Sequence, residues 1–215
     1  MSEGTIWAGT GRAGFCQLII EGKGDSAKIH FERHQNDPEN PNSMSNHGVI
    51  SMQEGPNGAL WMGTYGGGIV KYDRKNEIFT SFREKDGLAN NVVYGVLADD
   101  YNNLWCSTNL GLSRFNTVDT VFRNYVQNDG LQSNEYNIGA YYVNAKGEMF
   151  FGGINGFNAF YPEEIRNNTR PPEVVITDFQ LFNKDVGIGG DSPLKKHISL
   201  TESIELNYRQ NNITI

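Results

Sequence analysis

The chain has 215 residues, of which 25 are glycine, 12% are aromatic and only 20% are charged. This glycine-punctuated, aromatic-rich balance is typical of an all-β protein and excludes a coiled coil. The formal net charge of -7 argues against a nucleic-acid partner, because phosphate recognition needs a basic surface.

The N-terminal residues do not have the pattern of a targeting segment. Residues 1–7 contain neither a basic region nor an apolar one, so a signal peptide is not predicted. The longest apolar run, residues 15–20, is far shorter than the roughly 20 residues that a membrane helix needs. We therefore interpret the opening residues as the middle of a repeat.

Four copies of one pattern follow each other along the chain. An apolar residue, an aromatic residue, any residue and two small residues recur in Ile6-Trp7-Ala8-Gly9-Thr10, Leu60-Trp61-Met62-Gly63-Thr64, Leu104-Trp105-Cys106-Ser107-Thr108 and Met149-Phe150-Phe151-Gly152-Gly153. The aromatic residues are 54, 44 and 45 residues apart. The two middle copies also match at an offset of 43, where Asp86-Gly87-Leu88 aligns with Asp129-Gly130-Leu131. These coincidences indicate an internal repeat.

Each copy contains short β-prone runs, which in the third copy are residues 92–98, 103–108, 111–116 and 121–126. The first hairpin of a copy closes at Asn57-Gly58, Asn102-Asn103 or Lys146-Gly147, residues that tolerate the positive φ of tight turns. Four strands per unit at a period of about 40–50 residues predict the blades of a β-propeller.

The aromatic position of the repeat is expected to be structural. Trp7, Trp61, Trp105 and Phe150 can fill the space between neighbouring sheets. We expect the same core role for the aromatic residues of the outer strand, which are Phe79, Phe82, Phe122 and Tyr125.

The two ends of the repeat differ from its middle. The first copy lacks the strand that should precede Trp7, and the fourth lacks its outer strand because residues 163–170 are polar. We therefore predict an all-β chain in which residues 1–162 form a partial β-propeller of about four blades of four-stranded antiparallel sheet, incomplete at both ends. An open ring exposes strand edges and apolar faces, so a longer parent chain is expected.

A second domain is predicted beyond residues 163–172, which include Pro171-Pro172 and are interpreted as a linker. The sequence pattern of the blades ends before residues 173–215. Within this segment, residues 174–182 are predicted to form a strand whose alternation does not fit the blade repeat. Further strands are predicted at residues 198–200 and 204–208, and residues 212–215 would lie in the middle of another.

The blades resemble two-component regulator propeller repeats. Their order of Gly-Leu, a β run, Asp, a turn, Leu-Trp-x-Gly-Thr and Gly-Leu recurs most clearly over residues 87–112. Residues 129–160 are similar to the closing blade of such sensors, and the segment from Pro171 onward resembles the truncated start of a three-Y domain, which is an Ig-like β-sandwich. This order of domains is typical of the periplasmic sensor region of hybrid two-component system histidine kinases of Bacteroidetes.

The resemblance implies a periplasmic sensor that recognises breakdown products of polysaccharides. The signal would pass to a membrane-anchored kinase in the same parent chain, which would also supply the remaining propeller blades. A homodimer through the three-Y region is expected. Because no kinase motif lies in this sequence, we expect that the chain itself is not an enzyme.

The sequence predicts no metal site, no phosphate site and no cofactor. His30 and His34 stand four residues apart in a strand and loop pattern, so solvated histidines are expected rather than a metal pair. Gly66-Gly67-Gly68 precedes neither a Gly-Lys-Ser/Thr motif nor a helix. A turn between two strands is predicted there.

No catalytic residue is predicted either. Asp99-Asp100 is an adjacent acidic pair, but an acidic residue before the hairpin belongs to the repeat, so turn formation is the first explanation. Cys16 and Cys106 lie far apart in predicted strands, and we expect free, partly buried thiols.

One face of the propeller is predicted to bind ligand. In an up-and-down blade, the second-to-third and fourth-to-first connections emerge at the same edge of the sheet. This face gathers residues 10–14, 34–47, 64–68, 84–91, 108–111, 127–137 and 153–156. Its amides can pair with sugar hydroxyls and its aromatic rings can stack on sugar rings, although turn chemistry explains the same composition. The predicted ligand-binding residues are Arg12, Tyr65, Asn91, Asn109, Asn134 and Tyr136.

Three functions remain open at this point. The first is an oligosaccharide-sensing region that binds without turnover. The second is a propeller-fold polysaccharide lyase or glycosidase, and the third is a protein-interaction scaffold.

Overall fold

The computed structural model describes residues 5–22, 27–40, 42–55, 58–166 and 174–215. The chain divides into two compact units, Met1–Ile165 and Arg166–Ile215. The predicted turn residue Asn57 and the linker residues Pro171 and Pro172 lie outside the described residues. Within the described ranges, the regular elements are β-strands and 3₁₀ helices of three residues.

The first unit consists of antiparallel β-sheets. Its strands are β1 (Ile6–Gly9), β2 (Phe15–Glu21), β3 (Lys28–His34), β4 (Val49–Glu54), β5 (Leu60–Thr64), β6 (Ile69–Asp73), β7 (Ile78–Phe82), β8 (Val93–Ala98), β9 (Asn103–Thr108), β10 (Gly111–Asn116), β11 (Val121–Tyr125), β12 (Tyr136–Val143), β13 (Met149–Gly153) and β14 (Gly156–Phe160). The sheets have the orders β1-β2-β3, β4-β5-β6-β7, β8-β9-β10-β11 and β12-β13-β14. These are four successive blades of a partial β-propeller that is not closed, as predicted.

The strand boundaries of the third blade lie within one residue of the predicted ones. The tight hairpins also use the residues expected to tolerate a left-handed backbone. Gly58, Asn102 and Gly147 have φ values of 70°, 62° and 85°. In the first and fourth sheets the described residues supply three strands each, whereas the second and third sheets have four. The predicted difference between the ends and the middle of the repeat is therefore confirmed.

Apolar side chains fill the spaces between successive sheets, and the three tryptophans lie in these spaces. Trp7 stacks on Phe15 with ring centroids 4.7 Å apart and belongs to the cluster between the first two sheets. Trp61 belongs to the next cluster, and Trp105 to the one after it, where it packs on Phe160 at 4.8 Å. The core role predicted for these three tryptophans is confirmed.

The outer-strand aromatics also pack as predicted. Phe79 and Phe122 face the sheet before their own, while Phe82 and Tyr125 face the sheet after it. Because the offset of 43 preserves the strand alternation, equivalent residues face equivalent neighbours.

Two aromatic residues do not lie where the sequence predicted. Phe150 packs within its own sheet, 6.3 Å from Tyr142 and 6.2 Å from Phe157, because no further sheet of the described residues covers that side. His34 is not solvated, since its ring lies 5.2 Å from that of Tyr72 and its Nε2 is buried. The alternation of β3 turns His34 towards the cluster between the first two sheets.

The glycine two residues after Trp7, and the one two residues after Trp61, permit the close approach of the next sheet. A Cβ atom added to Gly63 would lie 2.7 Å from the carbonyl oxygen of Val93, the first residue of β8. A Cβ atom on Gly9 would lie 3.0 Å from the Cβ of Val49, the first residue of β4. In the first two blades, packing against the next sheet therefore requires glycine at this position.

The second unit matches the predicted strands only in part. Its strands are β15 (Gln180–Leu181), β16 (Lys184–Asp185) and β17 (Ile213–Thr214), in the order β16-β15-β17, around a small core of Phe179, Leu194 and Ile198. Of these, β15 lies within predicted residues 174–182 and β17 within predicted residues 212–215. Residues 174–179 and 204–208 are not in strands, and Ile198–Leu200 is a 3₁₀ helix. The Ig-like character of this unit stays a prediction.

Candidate ligand-binding face

The turns between second and third strands, together with the connections between blades, form one face of the first unit, which we name the turn face. In the first three blades, the threonine of the repeat closes this turn. Thr64 Oγ1 donates to the carbonyl oxygen of Gly68 at 2.7 Å and accepts from the N–H of Gly67 at 3.0 Å. Thr10 and Thr108 make the equivalent pairs of hydrogen bonds. The predicted turn at residues 66–68 is thus confirmed.

The predicted ligand residues Asn91 and Asn134 hold the connections between blades in place. The side-chain oxygen of Asn91 accepts from the N–H of Glu84 at 3.0 Å, and its carbonyl oxygen accepts from Gly68 at 2.9 Å. Asn134 repeats this arrangement with Gln127 at 2.8 Å and with Gly111. Backbone N–H groups therefore occupy the side-chain oxygens of both residues.

Tyr136 is a core residue and not part of an exposed loop. Its side chain is only 3% exposed, and its hydroxyl donates to Asn158 Oδ1 at 2.7 Å. Burial raises the pKa of this phenol, and a hydrogen bond with Gln132 opposes that rise. The ring is buried because Tyr136 is the first residue of β12, not the end of the preceding loop.

The other three predicted residues, Arg12, Tyr65 and Asn109, are exposed at the tips of the turns. Tyr65 is 61% exposed and follows the threonine of the second blade, as Asn109 follows that of the third. Gly48 lies between the first two turns, because a Cβ atom on it would be 3.0 Å from the Gly11 oxygen and 3.2 Å from the Tyr65 Cβ. The first and second turns are therefore neighbours on the turn face.

The structure adds Tyr94 and Glu135 to this group. The Tyr94 hydroxyl donates to Asn109 Oδ1 at 3.0 Å. Tyr65 forms a β-bridge with Val92, two residues before Tyr94. Burial raises the pKa of Tyr94, and the negative charges that Tyr65 and Glu135 can carry raise it further. Glu135 is exposed at the end of a predicted loop, whereas Tyr94 could have been found only from its alternation with buried Val93 on β8.

The turn face thus presents Tyr65, Tyr94, Asn109 and Glu135 together, and we name these four residues the Tyr65 group. Its two phenols offer faces for stacking and hydroxyl groups for hydrogen bonding. Its amide and carboxylate offer further polar atoms. This arrangement can bind a ligand that has both hydroxyl groups and apolar ring faces.

Asp99 has the turn-forming role that was predicted for it. Its carboxylate accepts from the N–H groups of Tyr101 and Asn103, both at 2.8 Å, and from Trp105 Nε1 at 3.0 Å. In the described ranges, no three His, Cys, Asp or Glu side chains are grouped so that they could hold a metal ion.

Both cysteines are free thiols, as predicted, with Cys106 buried and Cys16 partly buried. Burial raises the pKa of the Cys106 thiol. Since the thiolate is the reactive form, Cys106 is inert in the folded chain.

Among known proteins, Histidine kinase P4 of Formosa agariphila is 39% identical over 146 residues, which are 67% of this chain and 11% of that protein. The chain is similar to part of a histidine kinase. No family model matches the chain.

Solved structures share the fold. The extracellular domain of BT4673 from B. thetaiotaomicron, described as a one-component system, is 21% identical over 76% of this chain and 23% of its own, with a TM-score of 0.59. A second structure, described as a hybrid two-component system, is 20% identical over 99% of this chain and 26% of its own, with a TM-score of 0.51. PorZ, a surface component of the type-IX secretion system of Porphyromonas gingivalis, is 18% identical over 74% of this chain and 25% of its own, with a TM-score of 0.56.

The chain spans about a tenth of the kinase and a quarter of these solved chains. Two of the three structures are extracellular domains of signalling systems, and the third protein is at a bacterial surface. None of the helices in the described part of the chain has the length and apolar character of a membrane span.

Proposed function

We propose that the chain is part of the periplasmic sensor region of a hybrid two-component system histidine kinase, and that it recognises an oligosaccharide without converting it. The observation that carries this proposal is the Tyr65 group, which gathers two phenols, an amide and a carboxylate on one exposed face. The similarity to a histidine kinase supports the signalling role.

The chemistry of the Tyr65 group suits a sugar. The exposed ring of Tyr65 offers a face on which a pyranose ring can stack. Asn109 and Glu135 offer acceptors and donors for sugar hydroxyls, and the Tyr94 hydroxyl orients the Asn109 amide. Arg12, on the neighbouring turn, would extend the contact along the turn face.

Signalling would require partners outside this chain. The remaining propeller blades and the membrane-anchored kinase would belong to the same parent chain. The second unit would then be the start of a three-Y domain, and the homodimer would form through that region. Binding at the turn face would change the packing of the blades and of the three-Y region. This change would carry the signal to the kinase.

The experiment is calorimetric titration of the chain with a panel of oligosaccharides, followed by analysis of the sugars after incubation. We expect binding to at least one oligosaccharide and no new products. Products would instead support a lyase or glycosidase, and the absence of both binding and products would support a protein-interaction scaffold.

Variants locate the site. We expect Tyr65→Ala and Asn109→Ala each to weaken binding about tenfold, through a lost stacking or hydrogen-bonding partner. Tyr101→Ala is the matched control, because Tyr101 is 58% exposed but lies on the β8–β9 hairpin at the opposite end of the blade. An equal loss in Tyr101→Ala would remove the turn face as the site.

A further inference from the structure

One aromatic contact recurs between successive sheets of the first unit. The tryptophan of each sheet packs on an aromatic ring of the third strand of the next sheet. The ring centroids are 5.7, 5.6 and 4.8 Å apart, respectively, in the pairs Trp7–Tyr72, Trp61–Phe115 and Trp105–Phe160. The contacts between blades therefore follow one rule.

The residues that receive a tryptophan stand in a fixed register on three neighbouring strands. In the second sheet, Tyr72 is paired with Leu60 on one side and with Phe79 on the other. The first sheet covers these three side chains, which are between 3% and 7% exposed. The third sheet repeats the arrangement with Leu104, Phe115 and Phe122.

The first sheet carries the same arrangement, but there it is exposed. Leu18 is paired with Ile6 on one side and with Phe31 on the other. Ile6 is 54% exposed, Phe31 is 56% exposed and Leu18 is half-buried, since no other sheet of the described residues lies on this side. The first sheet therefore presents the surface that receives a tryptophan in the second and third sheets.

This apolar surface extends further than the equivalent surface of the second sheet. β2 and β3 have seven residues each, whereas β6 and β7 have five. The longer hairpin adds the pair Ile20 and Ile29, which are 55% and 61% exposed and lie on the same side as Leu18. We name Ile6, Leu18, Ile20, Ile29 and Phe31 the open face.

A contiguous exposed apolar surface of this kind marks an interaction site. The chain corresponds to 23% of the length of a solved extracellular domain that shares its fold, so most of such a domain lies outside this chain. Parts of one chain meet at an effective concentration of roughly millimolar, which favours a blade of the parent chain over a second copy.

We propose that the open face binds another blade of the parent chain. The aromatic residue of that blade packs on Leu18 and Phe31, as Trp7 packs on Tyr72. Its outer strands are as long as β2 and β3, because shorter strands would leave Ile20 and Ile29 exposed. This inference rests on the longer parent chain of the proposed function and not on the oligosaccharide.

Thiol labelling of the 215-residue chain and of the full parent chain provides the test. Phe31→Cys and Ile29→Cys each place a thiol on the open face, where both side chains are more than half exposed. Both chains also carry Cys16→Ser, because Cys16 is a second, partly buried thiol on this face. Maleimide should label both positions rapidly in the 215-residue chain. In the parent chain it should label them at least about tenfold more slowly, because the covering blade must first open.

Val118→Cys is the control, because Val118 is 70% exposed in the turn between β10 and β11. Peptide mass spectrometry should find it labelled equally in both chains. Equal labelling of position 31 or 29 in the two chains overturns the proposal. Labelling of the 215-residue chain that slows as its concentration rises identifies a second copy as the occupant, which overturns it as well. Neither outcome alters oligosaccharide binding measured by calorimetry, so the two proposals fail separately.

The aromatic contact is tested in the parent chain. Alanine replaces the aromatic residue in the copy of the repeat that precedes Trp7, and thermal melting confirms the fold. Labelling of Phe31→Cys should then accelerate about tenfold, because the loss of a packed ring weakens the interface. Trp105→Ala, the matched control, should leave that rate unchanged, since Trp105 packs between the third and fourth sheets. An equal rate in both variants would show that the repeat aromatic does not bind the open face.

Discussion

At the scale of single residues, the neighbours Asp99 and Asp100 allow a matched comparison. Asp99 accepts four hydrogen bonds from the hairpin and one from the buried Trp105 indole, whereas Asp100 is exposed. Asp99→Ala should lower the free energy of unfolding by about 1–3 kcal/mol, because it leaves a buried donor unpaired. Asp100→Ala should change it by less than about 0.5 kcal/mol. Urea unfolding of both variants decides the matter, and equal effects would contradict the assigned role of Asp99.

The same scale shows which residues the sequence could predict. Positions that recur in several blades, such as Trp61 and Trp105, were assigned correctly because every copy places them in the same environment. His34 and Tyr136 were assigned wrongly, because their burial depends on which side of one strand faces a neighbouring sheet. Phe150 fits the repeat pattern, but no further sheet of the described residues packs against it. The pattern within one repeat does not show whether a neighbouring sheet is present.

At the scale of strands and turns, Gly63, two residues after Trp61, determines how closely the second and third blades approach. A Cβ atom on Gly63 would lie 2.7 Å from the Val93 carbonyl oxygen, and backbone atoms cannot move aside at low cost. Gly63→Ala should therefore destabilise the fold by about 1–3 kcal/mol through overpacking. Gly11→Ala is the control, because a Cβ atom there meets nothing within 4 Å. Thermal melting of both variants gives the answer, and a harmless Gly63→Ala would show that the sheets can separate freely.

Strand prediction succeeded in the first unit, but in the second only β15 and β17 lie within predicted strands, for a physical reason. In the blades, each β-prone run is followed by a turn and then by its own partner, so local sequence determines the pairing, as in β8–β9. Residues 174–176 are equally β-prone, but they are exposed and have no pairing partner among the described residues. At Ile198–Leu200 the His197 side chain accepts from the Ser199 N–H, which favours a 3₁₀ helix. Strand propensity alone does not supply a partner.

At the scale of the whole molecule, the packing between blades and the binding at the turn face should be separable. Trp105 fills the space between the third and fourth sheets, far along β9 from the turn at Asn109. Trp105→Ala should lower the free energy of unfolding by about 3–5 kcal/mol. Oligosaccharide affinity per folded molecule should stay unchanged. Chemical unfolding and calorimetry on the same samples measure both quantities, and lost binding in a stable variant would make the tryptophan a ligand contact.

Alkaline pH should destabilise the folded chain because its buried tyrosines resist ionisation. Burial raises the pKa of Tyr72, Tyr94, Tyr136 and Tyr141 above the usual value of about 10. Between the unfolded and the folded pKa, the folded chain holds more protons than the unfolded chain. The free energy of unfolding therefore falls as pH rises, and the stability present below about pH 10 is lost as pH passes through the folded pKa values.

Two variants isolate this effect, since phenylalanine has no proton to lose. Tyr136→Phe should be about 1 kcal/mol less stable than the unmodified chain at pH 8, because the hydrogen bond to Asn158 is gone. That deficit should shrink or reverse at about pH 11, above the ordinary tyrosine pKa. Tyr141→Phe should gain relative stability over the same interval, because burial raises the pKa of Tyr141 as well. Urea unfolding at both pH values measures the differences, and a deficit in Tyr136→Phe that is identical at both would show that the Tyr136 hydroxyl ionises freely in the folded chain.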